Sequence, residues 1–415
     1  MDFKNELHNY LQNLNALSYF LSLQDEIMEK FSFSGEIGEL LDVKPDAVSI
    51  LEKSAHLYGL DGELVMAELA SANEEFNSLG VEFSISDEDN KSVRLNIKNK
   101  SVIYDIQKAM QLGDLSNRQM QMLNRSSLTS LMIYFESLIA SIIKARLVKF
   151  PNAFNPNDKS IKYKDLMDFD SMDEALEHLI EIEVVDIMYN GFKVWIQYLS
   201  KSGIKIDMIE DLIEEINEIS QRRNLFVHND GVVNKIYLNK VDSKFIKEVK
   251  KNDRLSISKE YLKNAIKIIK IFGTIILLEA WRNFEKEDFD QNISYLSNLG
   301  FEGLRDEEWE FSKYIYEGIY KYSDYHAVKT SMQINIWLCQ KQLGYFESIK
   351  DNISKFDVSG MQTYFKLCIH ALLEENDDFF SLLEKEPNAI SKDDLITWPI
   401  FKLIREDSRF SNFVN

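Results

Sequence analysis

The sequence alternates between two rhythms of apolar and polar residues, and they predict different elements. Over most of the chain, apolar residues recur every three or four positions, the spacing of an amphipathic helix. Residues 1–30 follow it in "NELHNYLQNLNALSYFLSLQDEIMEKF". Residues 45–79 follow it as two helices broken at "YGLDGE". Then "VEFSI" (81–85) and "VRLNI" (93–97) alternate strictly, joined by the polar "SDEDNKS", which predicts a β-hairpin. Helical spacing returns in 126–150, in 172–203 with a break near Gly191, from Ile206 to His228, and in 258–284. Helix pairs follow at about 306–322, 325–343, 345–356, 359–374, 377–385 and 392–405. The expected fold is mostly α. A small α+β N-terminal domain with the hairpin covers 1–115, a central four-helix bundle covers 116–286, and a C-terminal helical-hairpin domain covers 287–415.

Composition supports this division. The 415 residues exceed one ordinary core, and with 5 Pro and 15 Gly most of the chain is expected to be helical. The longest apolar run, Ile268 to Ala280, is too short for a bilayer and is interrupted by Lys270, Gly273 and Thr274. "MDFKNELHNY" lacks the basic and apolar regions of a secretory signal. Two cysteines, Cys339 and Cys368, make a disulfide framework unexpected and fit a reducing cytoplasm.

The net charge of −20 is uneven. It is about −11 over 1–120, about 0 over 121–280 and about −9 over 281–415, with about +8 inside 221–270. A solvated basic helix face is the plain explanation of that stretch; an RNA-facing surface is the functional one.

The basic stretch opens with "SQRRNLFVHNDG", Ser220 to Gly231. Leu212, Ile216 and Ile219 line one helix face, and Arg223 takes the next place on that stripe. A guanidinium there must be paired or must face a wet cleft. Asn224 and His228 follow, so one helix end carries a fixed cation, an amide and a group that titrates near neutrality. Helix C-termini also attract Arg and His simply to offset the helix dipole. Other chemistry is weakly signalled. The chain has no glycine-rich phosphate loop ending in Lys-Ser or Lys-Thr and no His-Glu-x-x-His. Cys339, Cys368 and His370 lie on apolar faces, and Asp87, Glu88 and Asp89 read as a solvated hairpin tip, so no metal site or cofactor is expected. His8, His56, His178 and His326 read as structural or exposed, and Tyr316, Tyr320, Trp337 and Phe365 as core.

"RRNLFVHNDG" followed by "VVNKIYL" resembles the HEPN superfamily, whose ribonucleases carry an Arg, four to six residues, then His. The match is Arg223, Asn224 and His228, at the end of the third helix of a four-helix unit, and covers roughly 116–286. The C-terminal region resembles a tetratricopeptide-like array, though without a clean 34-residue repeat. The resemblance implies a metal-independent endoribonuclease in which the RNA 2′-OH attacks, leaving 2′,3′-cyclic phosphate and 5′-OH ends. Arg223 would brace the phosphorane, His228 would move protons and Asn224 would orient. Arg222, Lys235 and Lys240 would hold substrate, and Glu136 could orient Arg223. It also implies a homodimer with two motifs in one cleft, in the setting of a toxin or anti-phage effector. The end domains would bind an inhibitory or triggering protein, and their acidity would compete with RNA. HEPN toxins paired with nucleotidyltransferase antitoxins carry Tyr two places after the His; here that place is Asp230. A non-catalytic dimeric scaffold that binds a protein is the competing expectation.

Overall fold

A computed structural model describes residues 1–31, 70, 73–74, 77, 80–85, 93–151, 163–166 and 169–414. Apart from residues 70, 73–74 and 77, the two helices expected within 45–79 lie outside these residues, as do the hairpin tip at Asp87–Asp89 and His56. The described chain is mostly helical, with one two-stranded antiparallel sheet. The elements that position the motif are α1 (Phe3–Phe31), β1 (Val81–Ile85), β2 (Val93–Ile97), α2 (Lys100–Lys149), α3 (Tyr163–Leu166), α4 (Met172–Tyr189), α5 (Phe192–Lys201), α6 (Ile213–Asn229), α7 (Lys235–Lys240) and α8 (Lys259–Phe284).

The strands pair as their alternation predicts. Val81 faces Ile97, Phe83 faces Leu95 and Ile85 faces Val93. The Asn73 amide fastens the hairpin by giving a hydrogen bond to the Phe83 carbonyl and accepting one from its N–H.

α8 is the axis of the bundle. Ser258 caps its start by accepting from the Tyr261 N–H, and from Ile268 to Trp281 every side of it is buried. Burial all round means that neighbours surround it. They are α1, α2, α6 and, from the C-terminal half, α11. α1 is therefore a bundle helix: Phe3, Leu7, Leu14 and Leu21 are fully buried, and Phe3 stacks on Trp281 at 6.0 Å. The expected assignment of residues 1–30 to a separate N-terminal unit differs from this packing, because α1 buries its apolar stripe on α2 and α8. Tyr10 donates to the Ile269 carbonyl at 2.6 Å, and its hydroxyl occupies the space that a Cβ at Gly273 would need.

α2 also differs from expectation. It runs 50 residues, straight through the expected boundary at 115/116. The break near Gly191 is present: φ is +83° there, and α4 and α5 separate at it. The Ile206–His228 segment begins as a 3₁₀ turn, Asp207–Leu212, before α6 proper.

The C-terminal half continues the same core through α9 (Lys286–Gln291), α10 (Ile293–Arg305), α11 (Trp309–Tyr322), α12 (His326–Gln340), α13 (Phe346–Ser354), α14 (Thr363–Leu373), α15 (Asn376–Lys385), α16 (Lys392–Thr397) and α17 (Ser411–Val414). α11 packs on both α8 and α12. Tyr322 donates to Glu279 at 2.6 Å, and Lys270 is held by Glu308 at 2.6 Å. Among the described residues no helix is long and apolar enough to cross a membrane.

Candidate functional site

The motif lies where α6 crosses α2. Ile216 and Ile219 are buried in the main core, and the stripe then meets Arg223. Its side chain is 19% exposed and paired with Glu136 on α2, while its Nε is buried without a partner. Burial raises the Glu136 carboxyl above its ordinary range, and the Arg223 charge and hydrogen bond oppose that shift. The anomaly in the stripe is thus answered within the chain by an interhelical ion pair at the edge of the core.

One turn on, α6 shows three different faces. Phe226 and Val227 turn toward α2, where Arg125 lies over the Phe226 ring at 5.0 Å. With Met122, Ser126, Thr129 and Ser130 they line an open groove of about 370 Å³. Leu225 points the other way, into a small second core with Val233, Tyr237 and Val241. Asn224 is half-buried and His228 is exposed. At 100° per residue His228 lies about 140° around the helix from Arg223, with Asn224 between them. The helix therefore presents its cation and its imidazole on different shoulders.

The helix stops at Asp230, whose φ of +49° is left-handed. Its carboxylate accepts from Arg125 on α2 and from Arg254 at 2.7 Å, and Arg254 also donates to the Asp230 carbonyl at 3.0 Å. These hydrogen bonds, Arg254 first and Arg125 second, hold the Asp230 carboxyl below its usual range. Gly231 follows at φ +76°, where any Cβ would overlap the Phe226 ring. The chain then pairs with its own return: Val233 N–H to Asp253 O at 2.8 Å and Leu255 N–H to Gly231 O at 2.9 Å.

The expected substrate-binding cations separate here. Lys235 and Lys240 are exposed and, among the described residues, have no carboxylate partner. Arg222 is engaged inside the protein. It donates to Glu218 at 2.7 Å and lies over the Tyr261 ring at 4.2 Å. Glu218 is buried and also accepts from the Tyr237 and Tyr261 hydroxyls at 2.7 and 2.8 Å. Burial, then the Glu218 charge, push both phenols up, so they remain protonated donors.

No family model, curated protein or solved structure matches the chain.

Two groups carry signals that the sequence reading passed over. Arg125 and Arg254 both reach the motif through Asp230, although Arg125 lies 105 residues away along the chain. Far from the motif, His370, Glu375 and Asp378 bring ligand-type atoms within 4.8 Å of one another, and His370 Nδ1 is 2.8 Å from Glu375. Cys339 and Cys368 are buried, free thiols.

Proposed function

We propose that the chain is a metal-independent endoribonuclease of HEPN type that acts as a homodimer. The observation that carries this reading is the placement of Arg223, a guanidinium that takes the next place on a core stripe and is paired with Glu136 at the edge of the core. Asn224 and an exposed His228 stand at the end of the same helix. RNA supplies the 2′-OH nucleophile. His228 takes or returns a proton, and the planar fork of Arg223 stabilises charge on the phosphorane oxygens. Asn224 orients the phosphate, and Lys235 and Lys240 hold the flanking backbone. Products would carry 2′,3′-cyclic phosphate and 5′-OH ends.

The dimer follows from the separation of Arg223 and His228 around one helix. A second copy related by a two-fold axis can bring its own motif to the other side of a shared phosphate. Exposed apolar side chains beside the Arg223–Glu136 pair support that face. Ile133, a turn before Glu136, is 54% exposed, and Val227, a turn after Arg223, is 52% exposed. The bundle α2, α4–α5, α6 and α8 would be the HEPN unit. The paired C-terminal helices would be a tetratricopeptide-like surface for an inhibitory or triggering protein.

One observation favours a different reading. The arginines Arg125, Arg222, Arg223 and Arg254 all have carboxylate partners. A scaffold that binds protein would need no free guanidinium. The decisive experiment incubates purified protein with total cellular RNA in excess chelator and maps product ends. Wild type should cut and His228→Ala should not, with unchanged circular dichroism. Light scattering should show a dimer that Ile133→Asp with Val227→Asp reduces to an inactive monomer. Equal cleavage by wild type and His228→Ala defeats the mechanism.

A further inference from the structure

We propose that Arg125 and Arg254 form a phosphate site for single-stranded RNA, and that Asp230 is the built-in carboxylate that weakens it. This inference rests on the reading of RNA as the ligand and assigns a second contact beyond Arg223 and His228.

Three observations converge. First, two guanidinium forks from segments far apart in the chain meet on one carboxylate, so Asp230 divides its two oxygens between them. A carboxylate divided in this way takes the place that two phosphate oxygens would take. Second, the charges do not balance. Two arginines and one aspartate leave a surplus positive charge, and Arg254 is exposed to solvent. A phosphodiester brings one negative charge, which the surplus accommodates. Third, the groove beside Arg125 has room for a nucleoside: Met122, Phe226 and Val227 offer apolar walls, and Ser126 and Ser130 offer hydroxyls. Arg125, which lines it, carries the groove to the shared Asp230 carboxylate and so to Arg254. A strand laid in the groove would put a phosphate at Arg125 and Arg254, with a nucleoside against Met122, Phe226 and Val227.

Asp230 thereby sets the affinity. It sits at the C-terminus of α6, where the helix dipole disfavours a negative charge, and it is retained there by the same two arginines. Removing its charge should raise the local surplus from one to two.

The test is binding rather than cleavage. Anisotropy of a labelled 2′-O-methyl RNA oligonucleotide, which cannot be cut, is followed from roughly 50 to 200 mM salt. Asp230→Asn and Asp230→Gly, both at ease in a left-handed conformation, should bind about three- to tenfold tighter than wild type, with a salt slope steeper by about one. Adding Arg125→Ala or Arg254→Ala to Asp230→Asn should return the affinity to wild type or below. Two aspartate variants that fold normally and bind no tighter overturn the proposal, as does a set of proteins that all fail to bind. Competition by low-millimolar inorganic phosphate as effective as that by unlabelled RNA would make this a free-anion site and overturn the strand model. Tighter binding by proteins that cut no RNA leaves this site standing and removes the nuclease reading.

Discussion

Glu218 carries more of the local structure than any residue of the motif. It is a buried carboxylate answered by one guanidinium and two phenols, and without it Arg222 keeps only a 3.3 Å bond to the Ser256 carbonyl. Glu218→Ala strands Arg222 beside two unpaired hydroxyls and should cost about 3–5 kcal/mol in urea unfolding. The sequence offers half of this. Glu218 and Arg222 are one helical turn apart, a spacing that predicts a pair. Tyr237 and Tyr261 come from two later segments, which no local periodicity could bring together. That is why Arg222 read as a substrate contact. Glu136 presents a different case. Burial raises its pKa, so as pH falls it takes a proton ahead of ordinary carboxylates and releases Arg223. RNA affinity of wild type should therefore rise more steeply than that of Glu136→Gln as pH falls toward the carboxylate range, measured by anisotropy. Parallel curves would mean that the pair does not compete with phosphate.

At the scale of elements, the turn after α6 is held by conformation and charge together. Gly231→Ala meets both a positive φ and the Phe226 ring, and should lower stability by about 1–3 kcal/mol. The Asp230 clamp adds a pH dependence of known sign. Its folded pKa is depressed, so its contribution is complete above the unfolded value near 4 and is lost as pH falls through the folded one. Protection of the Val233 and Leu255 amides, which tie this loop, taken relative to their intrinsic exchange rates, should fall below about pH 4, and Asp230→Asn should lower it at neutral pH too. Elements were legible where their signal is local. Strict alternation revealed the hairpin, and Gly191 marked the break between α4 and α5. The first 26 residues of α2 were not: "DLSNRQMQMLN" has no apolar stripe to read. α10 (Ile293–Arg305) also escaped; its Gly300 and Gly303, poor helix formers, are there to admit Tyr316 and Ser312.

For the molecule as a whole, one core runs from Phe3 to Ile404. Division by composition hid this, since acidic surface says nothing about which apolar stripes meet. Each large side chain of α1 buried on α8 contributes roughly 1.5–3 kcal/mol, and four such residues rival the whole stability of a typical domain. A chain lacking residues 1–31 should lose cooperative thermal unfolding and expose surface to a hydrophobic dye; a sharp melt near the wild-type temperature would contradict the shared core. The buried thiols offer a second gauge. Burial pushes Cys339 and Cys368 up, so neither should react with iodoacetamide at pH 8 until denaturant is added.

The contact between Tyr10 and Gly273 has a consequence for how this sequence can change by descent. The Tyr10 hydroxyl fills the space beside Gly273 and reaches the Ile269 carbonyl, so the two positions hold a fixed total volume. A methyl gained at 273 displaces the phenol; a ring lost at 10 leaves a void beside the glycine. Each single replacement is penalised and the paired one is tolerated. Chains that share this packing should therefore alter the two positions together, with small residues at 273 accompanying the ring at 10 and larger ones accompanying its loss. That linkage, 263 residues apart along the chain, would let diverged sequences be recognised as kin where the surface no longer agrees.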